Sequence, residues 1–351
     1  MTVKNFVLTT LSQNPEYFEE VIGLIEEEFH YNAQQHYEQD FAPLMDPLNF
    51  ENCFLYIDQN TNTVVAHLAV SLRTMIKSNI EMPVALIGGI VTHKEHRGEK
   101  LFKNLMDHAI NLYKEKVSLF ILWSDIEGLY EKFYFYRSGG LIESGKKDFS
   151  SNERPMGYEK TTFSNLSEKE FQAIVNLYHS FNEQYFFTIK RSDKDWSIIR
   201  EMNSIDLYIK KNSINEIVKY FCINKGKDLS NIIHEISCRE IEQYQELLNE
   251  LSSFKMWLPE TEAAKINETE MFYTAFVRLG SLSLLNSFFQ KISKHTLSIS
   301  EMNNELVSFN FSAKDYQVNH RDFLQYFLGP KPLEEFADFK LSLYISGVDS
   351  I

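Results

Sequence analysis

The chain has 351 residues, of which 44% are hydrophobic and 24% charged, the balance of a globular rather than a disordered or fibrous protein. At roughly 150 residues per domain, this length predicts two domains and a smaller third piece. The net charge of −14 argues against a nucleic-acid or anionic membrane surface. The sequence shows no apolar run of membrane-spanning length and no secretory pattern. Three scattered cysteines fit a reducing cytoplasm, and no Cys/His cluster has metal-ligand spacing, so we expect a cytoplasmic protein without a metal.

Acidic and basic residues are concentrated in different segments. Residues 1–60 contain eleven acids and one base, Lys4, whereas six bases outnumber four acids in residues 92–116. The two segments either serve a cationic and an anionic ligand or are solvated helix faces, and composition alone leaves both interpretations open.

Residues 1–155 predict a mixed α/β unit. Asn14-Pro15 is a typical helix start, because Asn caps well and Pro suits the first helical position. Alternating or continuous apolar runs predict strands, and apolar residues at helical spacing predict helices. The predicted order is a strand at 5–11, helices from 14 and at 33–42, strands at 52–57, 64–74 and 83–91, a turn at 92–98, a long helix, a strand at 117–123, a short helix at 128–135 ended by Gly139-Gly140, and a strand.

The pattern restarts after residue 156. Helices are predicted from Ser167 and at 193–202, then strands at 204–210, 214–223 and 230–236, a helix at 239–252 and an apolar stretch at 255–258. Beyond 265 the chain mixes strand-like pieces at 271–277 and 306–311 with helical ones at 282–289 and 322–328.

The most informative stretch is 84–140. An apolar strand runs into a polar loop with Gly98, and the loop becomes the start of a helix. Such a junction presents backbone N–H groups and the positive end of a helix dipole, which suit a pyrophosphate. Lys94, Arg97 and Lys100 add cationic charge there. About thirty residues later, Tyr130 follows the next strand and could reach the same cleft, or it is one aromatic of a core helix.

These elements together resemble the GNAT superfamily of acyl-CoA-dependent N-acetyltransferases. Residues 94–101, KEHRGEKL, match its pyrophosphate loop, and residues 129–135, LYEKFYF, match its later L-Y-x-x-x-G-F motif. The resemblance is closest to the enhanced-intracellular-survival acetyltransferases, through 95–102 (EHRGEKLF) and 124–135 (SDIEGLYEKFYF). Three residues depart from the family pattern: Glu95 at the start of the loop, and Lys100 and Tyr134 where the family has glycines.

The resemblance implies an α/β (α+β) GNAT fold, with a mixed, mostly antiparallel sheet flanked by helices. It also implies a tandem arrangement. The expected parts are a GNAT acetyl-CoA-binding catalytic domain at 1–155, a second GNAT-like domain without a cofactor loop at 156–265, and a small C-terminal α/β segment at 266–351.

By the same resemblance, acetyl-CoA is the co-substrate and Tyr130 the general acid that protonates the departing thiolate. Backbone N–H groups of the strand at 89–91 would bind the thioester carbonyl, and Gly88-Gly89 would let this strand bulge or approach closely. The cofactor-binding residues implied are Ile90, Val91, Thr92, Arg97, Gly98, Glu99, Lys100 and Leu101.

The catalytic base and the acceptor are less defined. The resembling subgroup uses the carboxylate of the last residue, here Ile351; Glu26, Glu27, Glu28 and His93 are alternatives. In GNAT folds the first strand and helices line the acceptor side, so the acidic segment favours a cationic amine acceptor, such as an aminoglycoside-like amine, a polyamine or a lysine.

We therefore expect an acetyl-CoA-dependent N-acetyltransferase that acts on a primary amine by direct attack in a ternary complex. One alternative is a non-catalytic acyl-CoA- or partner-binding protein on a tandem GNAT scaffold, consistent with Glu95, Lys100 and Tyr134. Another is transfer of a longer acyl chain or an aminoacyl group. We expect no nucleic-acid or membrane partner, and the sequence leaves the oligomeric state open.

Overall fold

The computed structural model describes residues 5–33, 35–146, 148–149, 155–261, 269–303 and 305–351. The first of its two halves contains strands β1 to β6 and helices α1 to α4. The strands are Phe6–Thr10 (β1), Cys53–Asp58 (β2), Thr63–Lys77 (β3), Ile80–Thr92 (β4), Leu119–Leu122 (β5) and Tyr136–Ser144 (β6). The helices are Phe18–Glu28 (α1), Tyr37–Asp40 (α2), Ala42–Met45 (α3) and Leu101–Tyr113 (α4).

The rest of the chain repeats this alternation of strands and helices. Its strands are Glu159–Thr161 (β7), Thr188–Ile189 (β8), Asp206–Lys211 (β9), Ile217–Ile223 (β10), Ile233–Cys238 (β11), Met256–Pro259 (β12), Thr269–Leu279 (β13), Leu297–Met302 (β14), Leu306–Phe311 (β15) and Lys314–Asn319 (β16). Its helices are Glu168–Leu177 (α5), Glu183–Tyr185 (α6), Asp193–Glu201 (α7), Ile241–Leu251 (α8), Leu282–Ile292 (α9) and His320–Leu328 (α10).

Strands from both halves form one continuous sheet of 13 strands. Its order is β1-β2-β3-β4-β5-β13-β6-β12-β11-β10-β9-β7, with β8 paired to β3. Each half contains one parallel pair, β4 with β5 and β11 with β12, and the other described pairs are antiparallel. A helix connects the strands of each parallel pair, α4 in the first half and α8 in the second. The two halves therefore repeat one architecture.

The halves exchange strands at the centre of the sheet. β13, which belongs to the segment after 265, lies between β5 and β6 and is antiparallel to both. β6, from the first half, pairs on its other side with β12 of the second half. The sheet of each half is thus completed by a strand from the other part of the chain.

Amphipathic helices cover the faces of this sheet. The buried residues of α4 (Leu101, Leu105, Met106, Ala109, Ile110 and Tyr113) recur at helical spacing and pack in one cluster with β3, β4 and β5. In the second half, α5 begins at Ser167 as predicted, with a reciprocal capping box between Ser167 and Glu170. The small sheet β14-β15-β16 packs with α9 and α10 in a separate cluster on β4, β5 and β13.

One predicted helix is wrong. Residues 128–135 form a turn and one short 3₁₀ segment, Glu131–Phe133, instead of a helix. Gly128 and Tyr134 both have left-handed backbone angles, with φ of 70° and 63°, and such residues interrupt a right-handed helix. Gly139-Gly140, predicted to end that helix, lies inside β6, where the Gly139 N–H donates to Gly329 O at 2.9 Å.

Candidate active site

β4 contains a bulge at its two central glycines. His67 of β3 pairs with Val91 and Ala69 pairs with Gly88, so Gly89 and Ile90 together face the single residue Leu68. Gly89 has a φ of 58°, a left-handed angle that glycine adopts without steric cost. The bulge predicted from Gly88-Gly89 is confirmed. It re-aims the strand and releases backbone groups from the ladder, as bulges beside active sites commonly do.

Two buried side chains form hydrogen bonds with the backbone of Gly89 in the bulge. The His67 ring is fully buried, and its Nδ1 lies 2.8 Å from Gly89 O. Since a carbonyl only accepts, Nδ1 carries the proton and donates, which leaves Nε2 as an acceptor. Burial lowers the pKa of His67 to about 4, so the ring is neutral. The buried Tyr37 hydroxyl also hydrogen-bonds with the backbone of Gly89.

β4 and β5 separate just before the bulge. The two strands pair only from Val84 with Leu119 to Leu86 with Ile121. β4 then continues to Thr92, paired with β3, whereas Leu122 at the end of β5 pairs with Phe276 of β13. The gap between the diverging strands opens next to Ile90, which is half-buried. Backbone groups of Ile90, Val91 and Thr92 lie along this gap.

The loop after β4 leads into an uncapped helix. Lys100 is the N-cap residue of α4 and makes no side-chain capping hydrogen bond, so the N–H groups of the first turn from Leu101 onward remain available. Lys100 adopts a left-handed φ of 65°, which explains why the family pattern has glycine there. A Cβ at Gly98 would have nothing within 4 Å, so the loop faces open space.

Helix α1 contributes acids that pair with this basic loop. Arg97 forms an ion pair with Glu28 and also donates from Nε to Thr92 O at 3.4 Å. Lys94 Nζ lies 3.0 Å from Glu27, and this cation lowers the pKa of the Glu27 carboxyl. The acidic and basic segments thus meet in space. Lys100, by contrast, is exposed and has no ion-pair partner among the described residues.

Four further polar residues of the loop and of α1, Glu99, His96, His93 and Glu26, have hydrogen-bond or ion-pair partners. Glu99 pairs with His96 at 3.2 Å, and His93 accepts the Glu95 N–H at 3.4 Å. Glu26 accepts the Tyr37 N–H at 2.9 Å. All four alternative bases, Glu26, Glu27, Glu28 and His93, therefore already have hydrogen-bond or ion-pair partners.

Tyr130 lies inside the hydrophobic cluster under α4, beside Phe276, which pairs with Leu122 at the end of β5. Its side chain is 5% exposed and packs edge-on against Phe102, with Phe276 close by. Its hydroxyl hydrogen-bonds with the Ser124 side chain. Burial raises the pKa of Tyr130, so the phenol stays protonated at neutral pH, as a proton donor must.

Ile351 docks on the opposite face of β4. A Cβ at Gly88 would lie 3.1 Å from the Ile351 carbonyl carbon and 3.0 Å from Leu44. Successive residues of a strand point to opposite faces of the sheet. Ala85 and Ile87 point to the face where Tyr130 lies, so Gly88 points to the other face, where Ile351 lies. The two predicted catalytic groups therefore flank one strand from its two faces, and the structure does not bring them into contact.

A buried ionic cluster that sequence analysis does not predict anchors the residues before Ile351. The guanidinium of Arg191 is fully buried and donates to Asp349 at 2.9 Å and to Glu235 at 3.1 Å. Arg73 of β3 also donates to Asp349, at 3.2 Å. These cations keep the pKa of Asp349 low despite its burial. The last turn of the chain is thus tied to both halves.

Comparison with known families agrees with this geometry. Residues 11–137 match the model of the acetyltransferase (GNAT) domain. Residues 11–137 therefore form a GNAT acetyltransferase domain, and the protein is an acyltransferase. No curated protein matches its sequence significantly.

Solved structures share the fold over most of the chain. A protein from Enterococcus faecalis described as a probable N-acyltransferase has 12% identity and a TM-score of 0.61, over 97% of this chain and 93% of the other. Eis1 from Mycobacterium abscessus has 9% identity and a TM-score of 0.55, over 90% and 85%. N-myristoyltransferase from Saccharomyces cerevisiae, solved with myristoyl-CoA, has 11% identity and a TM-score of 0.56, over 79% and 83%. At these identities the likeness shows the fold alone: a GNAT fold with a mixed sheet flanked by helices. None of the described helices is long and apolar enough to cross a membrane.

Proposed function

We propose that this protein transfers an acetyl group from acetyl-CoA to a primary amine of a cationic acceptor, by direct attack in a ternary complex. The observation that carries the proposal is the bulge at Gly89, which lies beside the gap between β4 and β5 and one loop before the uncapped start of α4. The bulge suits a thioester carbonyl, and the helix start suits a pyrophosphate.

The cofactor would lie along the residues from the bulge to α4. The Ile90 N–H is the best candidate to stabilise the oxyanion, because the Gly89 backbone already bonds with His67 and Tyr37. Backbone groups from Val91 to Thr92 would hold the pantetheine arm. The pyrophosphate would take the N–H groups of 98–101 and the ammonium of Lys100, and binding would draw Arg97 from Glu28.

Acid and base would act from the two faces of β4. The amine nitrogen attacks the thioester carbon, the carbon–sulfur bond breaks, and Tyr130 gives its proton to the thiolate. On the other face, a carboxylate on Ile351 would take the proton released by the amine. The position of Ile351 against Gly88 supports this role, and so does the engagement of the four alternative bases.

The acceptor side would be formed by α1 and α2, where the acids concentrate. Glu26, Glu27 and Glu28 end α1, and buried Asp40 ends α2. This charge favours a cationic amine. The three cysteines are all free and buried, which suits a reducing cytoplasm as the place of the reaction.

Calorimetric titration with acetyl-CoA and CoA tests the cofactor site. We expect micromolar binding that Arg97→Glu weakens strongly. Lys114→Glu makes the same change of charge at the far end of α4 and should bind as the wild type does. Equal weakening by both variants would reject the loop as the pyrophosphate site.

Turnover with acetyl-CoA and a polyamine tests the catalytic groups. Tyr130→Phe should lower kcat by about 10²-fold or more while CoA binding persists, since general acids contribute on this scale. Tyr134→Phe removes a nearby hydroxyl and is the matched control. Deleting Ile351 should also lower kcat by about 10²-fold, to a residual rate that can still be measured, whereas Ile351→Leu, which keeps the terminal carboxylate, should not. Full activity after the deletion would remove the base from the proposal.

The pairing of Arg97 with Glu28 favours a second candidate, a non-catalytic scaffold whose phosphate loop is neutralised by α1. Absence of acetyl-CoA binding at millimolar concentration, in the wild type and in Glu28→Gln, would support it. Binding of myristoyl-CoA in preference to acetyl-CoA would point instead to transfer of a longer acyl chain.

A further inference from the structure

Lys225, a residue without a role in the proposed mechanism, makes a buried contact with the end of the chain. It follows β10 in the second half and is 1% exposed. Its Nζ donates to Gly347 O at 2.7 Å and to Ser350 O at 2.5 Å, with Val348 O at 3.4 Å. The amine form of a lysine has two N–H donors and the ammonium form has three, so either form can bind the two nearest carbonyls of this turn, those of Gly347 and Ser350.

These carbonyls belong to the turn that leads directly into Ile351. The N–H groups of Asp349 and Ser350 both donate to Ser346 O at 3.0 Å, so the turn is closed. The Ser350 carbonyl, bonded to Lys225, is attached to the nitrogen of Ile351. The hydrogen bond from Lys225 to this carbonyl therefore restricts the position of the Ile351 backbone next to Gly88.

The surroundings of Lys225 join the two halves of the molecule. Its Nζ lies 4.9 Å from the centre of the Phe41 ring, and the neighbouring Gly226 packs against Asp40, both from the first half. Burial lowers the pKa of Lys225 to about 7; Asp349 and Asp40 oppose this shift, whereas Arg191 and Arg73 add to it. Arg191 and Arg73 hold the side chain of Asp349, while Lys225 holds the backbone on either side of it.

We propose that Lys225 is a positioning residue, which clamps the turn 346–350 so that Ile351 is held against β4 at the reacting end of the site. This inference rests on the proposed function for its catalytic consequence. The clamp itself is a structural claim, which can be tested without any assay of transfer.

The first test is timed digestion of the folded protein with a carboxypeptidase, with mass spectrometry to follow loss of Ile351. Lys225→Met keeps the length of the side chain and removes its donors, and we expect release about tenfold faster than in the wild type, the scale of a lost hydrogen bond. Lys227→Met is the matched control, because the Lys227 Nζ lies at the surface, 3.5 Å from Phe29 O. Thermal unfolding of each variant verifies the fold. Equal release from wild type and Lys225→Met would overturn the clamp.

The second test is a double-variant cycle on kcat, with acetyl-CoA and spermidine as probes. Lys225→Met should lower kcat with little change in the KM for acetyl-CoA, and Lys227→Met should change neither. If Lys225 acts through Ile351, adding Lys225→Met to the Ile351 deletion should cause no further loss. An additional full loss, or an unchanged kcat despite faster release, would overturn the positioning role. A wild type without transfer would refute the proposed function, and the digestion would still decide the clamp.

Discussion

His67 should make the protein sensitive to mild acid. The ring is fully buried, and its pKa is lowered to about 4 in the folded chain, against an ordinary value of 6.5. Between these values the unfolded chain binds the proton and the folded chain does not, so stability falls as the pH drops below about 6.5. Integrating this difference from pH 7 to pH 5 gives a loss of about 2 kcal/mol from His67.

Urea unfolding at pH 7, 6 and 5 measures this loss. His234, also buried and with a pKa lowered to about 3, should contribute a loss of about 2 kcal/mol over the same interval. His67→Gln should therefore start from a lower stability at pH 7 but lose about 2 kcal/mol less than the wild type on acidification to pH 5. His295→Asn, at an exposed position, should retain the full wild-type acid dependence.

The reasoning would be refuted by a His67→Gln variant whose stability falls with pH as steeply as that of the wild type. A chemical-shift titration that places the pKa of His67 near 6.5 in the folded protein would refute it as well. In either case the ring would be accessible to water, and its hydrogen bond would not be what fixes the bulge.

Other substitutions probe the strained and charged positions of the site. Gly89→Ala should lower the free energy of unfolding by about 1–2 kcal/mol, the cost of a side chain at a left-handed backbone angle, and should lower kcat because the bulge is displaced. Urea unfolding and turnover measure the two effects, and an unchanged stability would contradict the assigned angle. Lys100→Gly should raise the free energy of unfolding by about 0.5–1 kcal/mol, because relief of the left-handed angle outweighs the conformational entropy that glycine loses on folding. The same variant should bind CoA more weakly in calorimetry, and tighter binding would make Lys100 an obstacle to the phosphates. Arg191→Met leaves Asp349 and Glu235 buried without their main partner and should cost about 3–5 kcal/mol in urea unfolding; a loss below about 1 kcal/mol would mean that water reaches the cluster.

Local elements were predictable because local patterns determine them. Alternating apolar residues marked β2, β3 and β4, and the double glycine indicated the bulge, which the register confirms. The helix predicted at 128–135 is wrong because the left-handed backbone angles of Gly128 and Tyr134 interrupt it, and the aromatic spacing of this stretch does not reveal those angles. A tyrosine at position 134 does not by itself indicate the left-handed backbone angle that this residue adopts where the family pattern has glycine.

Long-range contacts lay beyond sequence reasoning. Arg97 pairs with Glu28, whereas the charge pattern leaves open whether their two segments bind different ligands or are solvated helix faces. The ion pairs of Asp349 with Arg73 and Arg191 could not be predicted, because these arginines are distant from Asp349 in the sequence. A charge pattern gives the composition of a surface, whereas its pairing depends on the fold that brings the segments together.

The exchanged strands also determine when the protein can fold during synthesis. β5 receives its second neighbour only when β13 has been made, because Leu119 pairs with Leu279. Until then the first half leaves the ribosome with an open, apolar strand edge, the feature that makes nascent chains prone to aggregate. Pairing across such a sequence separation is also slow. The nascent chain must therefore keep this edge covered, by a chaperone or by transient pairing with β6, for as long as the second half takes to emerge.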